Sequence, residues 1–390
     1  MHIVVHTRLS QIDANQWNQL VDLANPFVSH EFLNGLEACG CVSPENGWQP
    51  HHLAIYDQTK EHLLAAMPCY IKNHSYGEYI FDWSWVNAYH SHGIDYYPKL
   101  SNAVPFTPAT GPRVLTSSTA EQYGVTQEEL SKTLIDFAVK ETEKLNLSSF
   151  HSLFNTQAQS SLYQQQGLST RQSTQFHWKN NDYASFDDFL GQMSSKKRKN
   201  IKRERRRVNE TGVTFKWLSG NELSAQAAAT MYKFYSRTIA YYGAQSYLNK
   251  SFFEYIATHF SNQTLFLFAE FENQIIAGGL YFKGEKTLYG RYWGALANFH
   301  SVHFETCYYQ AIQWCIEHGY DSFEAGAQGE HKLARGLEPT TTYSSHWIAH
   351  PEFRKAISSF LSEEENHVNE YQKNMQAHSP YKTTGEGTEI

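Results

Sequence analysis

The segment GAQGEHKLARG, residues 326–336, brings together side chains that could support the transfer of a group to an amine. Such a reaction needs a base that takes the proton of the amine and donors that stabilise the oxyanion. Glu330 or His331 could act as the base. The side chains that could bind an anion or the oxyanion are Gln328, Lys332 and Arg335. Because functional residues concentrate in loops that follow strands, we predict a site here; a polar surface loop is the alternative.

A second segment, KKRKNIKRERRR at residues 196–207, concentrates positive charge in an acidic chain. It holds nine basic residues and one acidic residue, Glu204, whereas the whole chain has 32 Lys+Arg and 39 Asp+Glu. We predict a helix over residues 195–209 with Ile201 and Val208 as its thin apolar seam. Glu204 has no basic partner four residues before or after it. The cations of the first turn therefore oppose the helix dipole unless an anion binds there.

We expect this helix to bind phosphate. The predicted contacts are Lys196, Lys197, Arg198, Lys199, Lys202 and Arg203. The alternative is a solvated basic face that lies on acidic surface of the same protein. The phosphate could belong to a tRNA acceptor stem, to a nucleotide-sugar diphosphate or to coenzyme A. General RNA binding is disfavoured, because no whole domain is basic and the net charge is −7.

The motif HSVHFE offers three side chains that could bind zinc, namely His300, His303 and Glu305. Helical spacing would place Glu305 on a different face from the two histidines, so we predict no metal site. The five cysteines also lack the Cys-x-x-Cys spacing of zinc sites. Glu305 is instead a candidate catalytic carboxylate that faces inward. Arg291, on the preceding predicted strand, is a candidate contact for the acceptor.

Residues 86–118 are predicted to form a long inserted loop that its prolines make rigid. Long ordered loops in compact domains are usually functional. We expect this loop to form the wall of an acceptor cleft between two halves of the chain, with Lys99 and Arg113 holding phosphate or carboxylate. The sequence has no Gly-x-Ser-x-Gly motif and no cysteine in a His-rich context, which favours direct transfer over a covalent enzyme intermediate.

The elements that must position these residues occur in two copies. GLSTRQSTQFHW from Gly167 matches GLEPTTTYSSHW from Gly336, and LLAAMPCYIK from Leu63 matches IIAGGLYFK from Ile275. Short alternating apolar runs predict antiparallel strands, which are HHLAIYD, LLAAMPCYIK and EYIFDWSW in the first half and TLFLFAEF, IIAGGLYFK and TLYGRYWGA in the second. An amphipathic helix and two further strands follow in each half. This order predicts a duplicated architecture of mixed α/β layers.

The repeats divide the chain into a first domain at 1–184 and a second domain at 185–355 that begins with the basic helix. Residues 356–390 are predicted to be a helix and a disordered tail, because YKTTGEGTEI lacks apolar periodicity. The N-terminus does not have the pattern of a signal peptide, and no run of ~18 apolar residues could span a bilayer. An odd number of cysteines favours a reducing compartment. We expect a cytoplasmic protein, and its oligomeric state stays open.

Several stretches between residues 25 and 350 resemble the FemAB-like N-acyltransferases, which are relatives of the Fem-type peptidoglycan aminoacyltransferases. They include NPFVSHEFLNGLEACG, SSKKRKNIKRERR and GAQGEHKLARGLEP. The resemblance implies an α/β fold, in α+β layers, of two tandem GNAT-like acyl-CoA N-acyltransferase domains, each with a mixed central sheet flanked by helices. It also implies transfer of an aminoacyl or acyl group to an amine, which a peptidoglycan precursor or a peptide would supply. The donor would be a co-substrate, aminoacyl-tRNA or acyl-CoA, with no permanently bound cofactor and with tRNA as a partner.

One junction departs from the pattern of coenzyme A users, which grip the pyrophosphate with a Gly-rich turn between a strand and a helix. The corresponding segment here, WGALANFHSVHFE at 293–305, has Gly294 as its single glycine and no Arg or Lys. This composition favours aminoacyl-tRNA as the donor. Two alternatives stay open: an acyl-CoA-dependent N-acetyltransferase, and a catalytically silent module that binds a phosphate-bearing cell-wall precursor or RNA.

Overall fold

The computed structural model describes residues 1–21, 25–296, 301–327 and 329–382. Its residues form two compact units, each made of two chain segments. Unit 1 comprises Met1–Ser173 and Thr341–Asn369, and unit 2 comprises Thr174–Thr340 and Glu370–Ile390. The domain limits predicted above, at residues 184 and 355, divide the chain into consecutive segments. These limits stay a prediction.

Unit 1 contains the elements of the first repeat. Its strands are β1 (His2–His6), β2 (Trp48–Pro50), β3 (His52–Tyr56), β4 (Leu63–Met67), β5 (Cys69–Lys72), β6 (Lys99–Asn102), β7 (Leu115–Thr116) and β8 (Ser149–Asn155). Its helices are α1 (Ala14–Gln19), α2 (His30–Ala38), α3 (Trp83–Ser91), α4 (Gln127–Lys144) and α5 (Gln157–Gln165), with 3-10 turns at Leu9–Gln11, Pro26–Val28, Pro44–Asn46 and Ala120–Tyr123.

The remaining elements follow in chain order. The strands are β9 (Ser169–Lys179), β10 (Thr214–Ser219), β11 (Thr264–Phe271), β12 (Gln274–Lys283), β13 (Thr287–Ala295), β14 (Ser322–Glu324) and β15 (Glu338–Ile348). The helices are α6 (Phe186–Gly191), α7 (Ser195–Glu210), α8 (Ala225–Tyr241), α9 (Lys250–His259), α10 (Val302–Phe304), α11 (Gln310–Glu317) and α12 (Pro351–Ala377). A π-helical turn, Glu305–Tyr309, joins α10 to α11, and 3-10 turns lie at Gly220–Glu222 and Glu330–Arg335.

Two sheets form the core of unit 1. One has the strand order β1-β3-β4-β7, and the other runs β15-β8-β6-β5-β2, with β6 parallel to β8 and the other pairs antiparallel. Helix α4 begins with a capping box, because Thr126 accepts from the N–H of Glu129 and Glu129 accepts in return. Its apolar face, with Leu134 and Ala138, packs in one cluster with Leu64 and other strand residues.

Unit 2 is built on one sheet with the strand order β10-β11-β12-β13-β14-β9. Strands β11 to β13 are antiparallel, as the alternating runs predict. Strand β10, which those runs do not include, pairs antiparallel with β11, and β13 pairs in parallel with β14. Helix α8 lies directly on β13, because a side chain on Gly294 would collide with the carbonyl oxygen of Phe234. The absence of a side chain at Gly294 therefore sets the distance between this helix and the sheet.

The structure corrects two predictions in the first half. EYIFDWSW is not a strand, because α3 begins at Trp83. Its aromatic residues also fit helical spacing, and Trp85 and Tyr89, four residues apart, are buried together on one face, where Tyr89 stacks on Phe353. Residues 86–118 are not one loop, since they contain the end of α3 and the strands β6 and β7. The basic helix predicted at 195–209 is confirmed as α7.

The close approach at Gly294 predicts a stability effect. Gly294→Ala should lower the free energy of unfolding by about 1–3 kcal/mol, because the new methyl group must displace the backbone of α8. Gly191→Ala is the matched control, because a methyl group there would meet no atom within 4 Å. Denaturant unfolding of both variants measures the difference. Equal midpoints for the two variants would contradict the packing inferred here.

Candidate functional site

The polar segment at 330–335 and helix α7 are brought together in unit 2, although more than a hundred residues separate them. Arg335 donates from Nη2 to both carboxylate oxygens of Glu204, at 3.3 Å each. The hydroxyl of Tyr309 also donates to Glu204. Arg335 is therefore the basic partner that Glu204 lacks at the positions four residues away in its own helix. Arg335 belongs to the loop in which we predicted a site.

The next residue of α7, Arg205, forms a second ion pair that holds this helix. Arg205 donates from Nη2 to Oε1 of Glu305 at 2.9 Å and from Nε to Oε2 at 3.2 Å. The amide of Gln310 also donates to Glu305, at 2.8 Å. Glu305 faces inward as predicted and is only 1 % exposed. Its role as a base stays a prediction that this geometry does not favour, because N–H donors occupy both of its oxygens.

The π-helical turn Glu305–Tyr309 supplies several of these contacts. Turns of this kind inside helices frequently lie at functional sites. Tyr308 and Tyr309 follow Glu305 in this turn, and their hydroxyl groups contact His331 and Glu204. Sequence reasoning missed both tyrosines, because their spacing reads as the apolar face of an amphipathic helix.

His331 has the properties of a proton acceptor. Its side chain is exposed, and Nε2 lies 2.8 Å from the hydroxyl of Tyr308. Burial of part of the ring and the nearby charges of Arg335 and Lys332 lower the pKa of His331, so the imidazole is neutral at neutral pH. Glu330 is also exposed, and its carboxylate accepts from the hydroxyl of Tyr371 at 2.9 Å.

Lys332 is a buried amine whose partner is a carbonyl group. It is 2 % exposed, and Nζ donates to the carbonyl oxygen of Gly326 at 2.7 Å. Within the described part of the chain, no carboxylate forms an ion pair with it. Burial lowers the pKa of Lys332 to about 8, and the nearby Cys307 opposes this shift. The sequence predicts that Lys332 contacts an anion. The structure shows in addition that its amine has a pKa close to neutral pH.

The exposed part of α7 begins at its N-terminus. Lys196 and Lys199 are exposed and Lys197 and Arg198 are half-buried, and none of the four forms an ion pair among residues that the structure describes. The side chain of Ser194, which precedes the helix, accepts no backbone N–H from it. Cations and free N–H groups therefore point outward from one helix end, which is the arrangement that the phosphate prediction requires.

The second half of the helix lines a cavity of about 700 Å³ in unit 2. Its basic wall consists of Lys202, Arg205 and Arg206, and residues of α6 and α11 complete it. Lys202 forms a surface ion pair with Asp187 at 2.9 Å, and Arg203 donates to the side chain of Asn200 at 3.2 Å. These two predicted phosphate contacts thus have weak partners that an anion could displace.

Lys99 and Arg113 are not ligand contacts in this structure, which corrects the prediction for both. Lys99 is fully buried in unit 1 and donates to Glu78 at 2.7 Å and to Asp82 at 2.6 Å. Burial alone would lower the pKa of Lys99, but the two carboxylates raise it. Arg113 is buried and donates to the carbonyl oxygens of Leu153, Pro112 and Ala109. Both cations are buried and bound to internal acceptors, so neither reaches a surface where phosphate could bind.

The other predicted residues are placed as follows. Arg291 is half-buried, with its guanidinium 5.5 Å from the ring centre of Tyr292. Gln328 and His300 lie outside the described residues. Across the described ranges, no three His, Cys, Asp or Glu side chains are grouped so that they could hold a metal ion. Among the same residues, no helix is both long and apolar enough to cross a membrane.

Residues 8–383 match the family model FemAB_like, described as peptidoglycan biosynthesis/recognition. The chain belongs to the FemAB-like family. The resemblance read from the sequence is thereby confirmed.

Solved structures show the same fold at low identity. FemX is 10 % identical with a TM-score of 0.53, over 92 % of this chain and 100 % of FemX. The C-terminal domain (DUF2156) of a proposed lysylphosphatidylglycerol synthetase from Agrobacterium fabrum is 10 % identical with a TM-score of 0.55, over 90 % of this chain and 96 % of that one. L-PGS from Bacillus licheniformis is 10 % identical with a TM-score of 0.50, over 87 % and 97 %. No curated protein shows significant similarity. The predicted mixed α/β fold class is confirmed, and FemX has the same fold.

The burial of Lys332 predicts how stability depends on pH. Its pKa falls from 10.5 to about 8 on folding, so the unfolded chain binds more protons between these values and stability rises with pH there. At pH 7 the amine is charged in both states, and its burial costs on the order of 3 kcal/mol. Lys332→Met should therefore raise the free energy of unfolding at pH 7, and this gain should shrink between pH 8 and pH 10.

The matched control is the buried Lys99, whose pKa shifts in the opposite direction. Lys99→Met should lower the free energy of unfolding by about 3–5 kcal/mol at pH 7, because it leaves Glu78 and Asp82 buried without their cation. Urea unfolding at pH 7, 8.5 and 10 measures both effects. A gain for Lys332→Met that does not change with pH would show that folding does not lower the pKa of this amine.

Proposed function

We propose that this FemAB-like protein transfers an aminoacyl or acyl group to the amine of a phosphate-bearing acceptor, such as a peptidoglycan precursor. The observation that carries the proposal is the contact of Arg335 with Glu204, which joins a loop containing a neutral imidazole to a helix whose first turn is cationic. The family supports the reaction class and the peptidoglycan context. The helix supplies the means to hold an anionic substrate close to that loop.

In this reaction the nitrogen of the acceptor amine attacks the carbonyl carbon of the donor. The new C–N bond forms, the ester or thioester bond of the donor breaks, and the proton of the amine moves to His331 and then to the leaving group. Tyr308 orients the imidazole through its contact with Nε2. Lys332 and Arg335 act as positioning residues, since burial of part of the ring together with their charges keeps His331 neutral and able to accept the proton.

The donor that fits best is an aminoacyl-tRNA bound as a co-substrate. In coenzyme A users, a glycine after the strand leaves room for the pyrophosphate. The single glycine of residues 293–305, Gly294, uses its missing side chain for packing against α8, because any side chain would collide with Phe234. This use of Gly294 argues against the acyl-CoA-dependent alternative.

A catalytically silent binding module is the second candidate. The geometry of Glu305 favours it, because Arg205 and Gln310 already occupy both carboxylate oxygens. A protein of this kind would bind a phosphate-bearing precursor through α7 and catalyse no transfer.

A transfer assay separates the candidates. The purified protein is given aminoacyl-tRNA or acetyl-coenzyme A with a nucleotide-linked peptidoglycan precursor, and the modified precursor is detected by mass. His331→Asn should lower kcat by about 10²-fold or more, with little change in KM, and should remove the rise of kcat with pH. His90→Asn, an exposed histidine of unit 1, is the control.

The outcomes differ for each candidate. Transfer only from acetyl-coenzyme A would support the acyl-CoA-dependent enzyme. Binding of the precursor without transfer from either donor would support the silent module. Full activity of His331→Asn would show that another group is the base.

The basic helix has its own test. Lys196→Glu combined with Arg198→Glu should weaken binding of the precursor or of tRNA at least tenfold and leave the unfolding midpoint unchanged, because neither residue has a described ion pair. Lys140→Glu combined with Lys355→Glu changes the net charge equally at exposed positions of unit 1. Titrations at 50 mM and 200 mM salt should show the steep dependence of nucleic-acid binding only if tRNA is the ligand. A lower unfolding midpoint would instead assign these cations to the fold.

A further inference from the structure

A second cavity of unit 2, of about 460 Å³, has a lining that no step of the proposed reaction uses. It lies where the end of α8 meets the end of β13 and the start of α10. Its size is within the range of ~300–1,000 Å³ that small-molecule sites occupy. The residues that give it its character are Arg237, Tyr241, Tyr242, Trp293 and His303.

Two adjacent tyrosines form one wall of this cavity and face solvent. Tyr241 is 82 % exposed and Tyr242 is 75 % exposed, more than any other large hydrophobic residue described as exposed. Their ring centres are 5.1 Å apart and their planes meet at 85°, so the rings form a right-angled corner. Trp293 and His303 contribute rings with centres 5.2 Å apart to the same cavity. A flat ligand could therefore stack on one ring and contact the edge of another.

The tyrosines stand on a rigid support. Helix α8 ends in a Schellman motif, in which Gly243 donates to the carbonyl oxygen of Ala240 at 3.2 Å and Ala244 donates to that of Ile239 at 3.1 Å. Gly243 has φ +61°, which this motif requires and glycine adopts at little cost. The hydroxyl of Thr238 donates to the carbonyl oxygen of Trp293 at 2.8 Å and ties the helix to β13. The backbone that carries the two tyrosines is thus fixed at the end of α8.

The charge in the cavity is positive. Arg237, one helical turn before Tyr241, is the one formally charged side chain among the described residues that line it. Arg237 is exposed and has no ion-pair partner within the ranges that the structure describes. Burial lowers the pKa of His303 to about 4, so this imidazole adds no charge at neutral pH. A ligand with an aromatic ring and an anionic group would match both features.

We propose that this cavity binds a nucleotide, with the base stacked on the corner of Tyr241 and Tyr242 and the phosphate held by Arg237. The phosphate belongs at Arg237 and not at the helix end, because the carbonyl groups there repel anions. Base–aromatic stacking is tolerant of base identity, so the site is expected to select the class of ligand and not one base. The inference rests on the proposed function, because both candidate substrates contain nucleotides, and it assigns a position in unit 2 to one of them.

The test measures binding directly, so that its result does not depend on transfer activity. Adenosine 5′-monophosphate, uridine 5′-monophosphate and adenosine are titrated against the full chain, and binding is followed by ligand-detected NMR. Tyr241→Ala combined with Tyr242→Ala should weaken binding of all three probes at least tenfold. Tyr241→Phe combined with Tyr242→Phe keeps the rings and should change the Kd less than threefold.

Substitutions at Arg237 test the contribution of the phosphate to binding separately from that of the base. Arg237→Gln should weaken binding of both monophosphates about tenfold and leave adenosine unchanged, whereas Lys233→Gln, on the same helix but outside the cavity, should alter neither. No saturation by any probe at millimolar concentration, or an unchanged Kd in the double alanine variant, would overturn the proposal.

Two further probes distinguish the sources of the nucleotide. A short single-stranded RNA that ends in CCA and a nucleotide-linked peptidoglycan precursor are titrated against the same variants. The probe whose Kd increases in the double alanine variant is the one that uses the cavity, and an effect on neither would overturn the assignment to a substrate. An inactive protein that still binds the monophosphates through Tyr241 and Tyr242 would reject the transfer reaction alone.

Discussion

Helix α7 cannot be held by apolar packing alone, and the rest of the candidate site depends on how this constraint is met. Only Ile201 and Val208 of its sixteen residues are buried. Two adjacent ion pairs, Glu204 with Arg335 and Arg205 with Glu305, attach it to the core of unit 2. Because a buried carboxylate without its cation costs several kcal/mol, these pairs also fix which side of the helix faces the core.

The attachment sorts the charges of the helix into two groups. Glu204 and Arg205 lie against the core and serve the fold, whereas Lys196 and Lys199 project into solvent. The same contacts fix the position of the loop after β14, since Arg335 belongs to both. A chain of hydrogen bonds therefore links α7 to this loop, from Glu204 through Arg335 to the carbonyl oxygen of His331.

Three buried lysines show how strongly the partner decides the role of a cation. Lys99 faces two carboxylates, which raise its pKa and make it part of the fold. Lys72 lies 3.5 Å from the ring centre of Trp48 and donates to the carbonyl oxygen of Gly47, and burial lowers its pKa to about 7. Lys332 also faces a carbonyl group, with a pKa of about 8. A carbonyl dipole stabilises an ammonium ion less than a carboxylate does, so the latter two can titrate near neutral pH.

The sequence by itself determined the features that depend on local pattern. Alternating apolar residues are enough to predict β11, β12 and β13, and the polar run with a seam of Ile201 and Val208 is enough to predict α7, because these periodicities follow from the geometry of single elements. EYIFDWSW was ambiguous, since its aromatic residues fit both periods, and burial of Trp85 in one cluster with Tyr89 selects the helix that begins at Trp83. The tertiary structure alone decided the partners: that Lys99 meets Glu78 and Asp82, and that Arg335 reaches Glu204 across 131 positions of the chain. Ion pairs between residues far apart in sequence form only where the fold brings two side chains within a few ångströms of each other. The number of residues between them does not determine that distance.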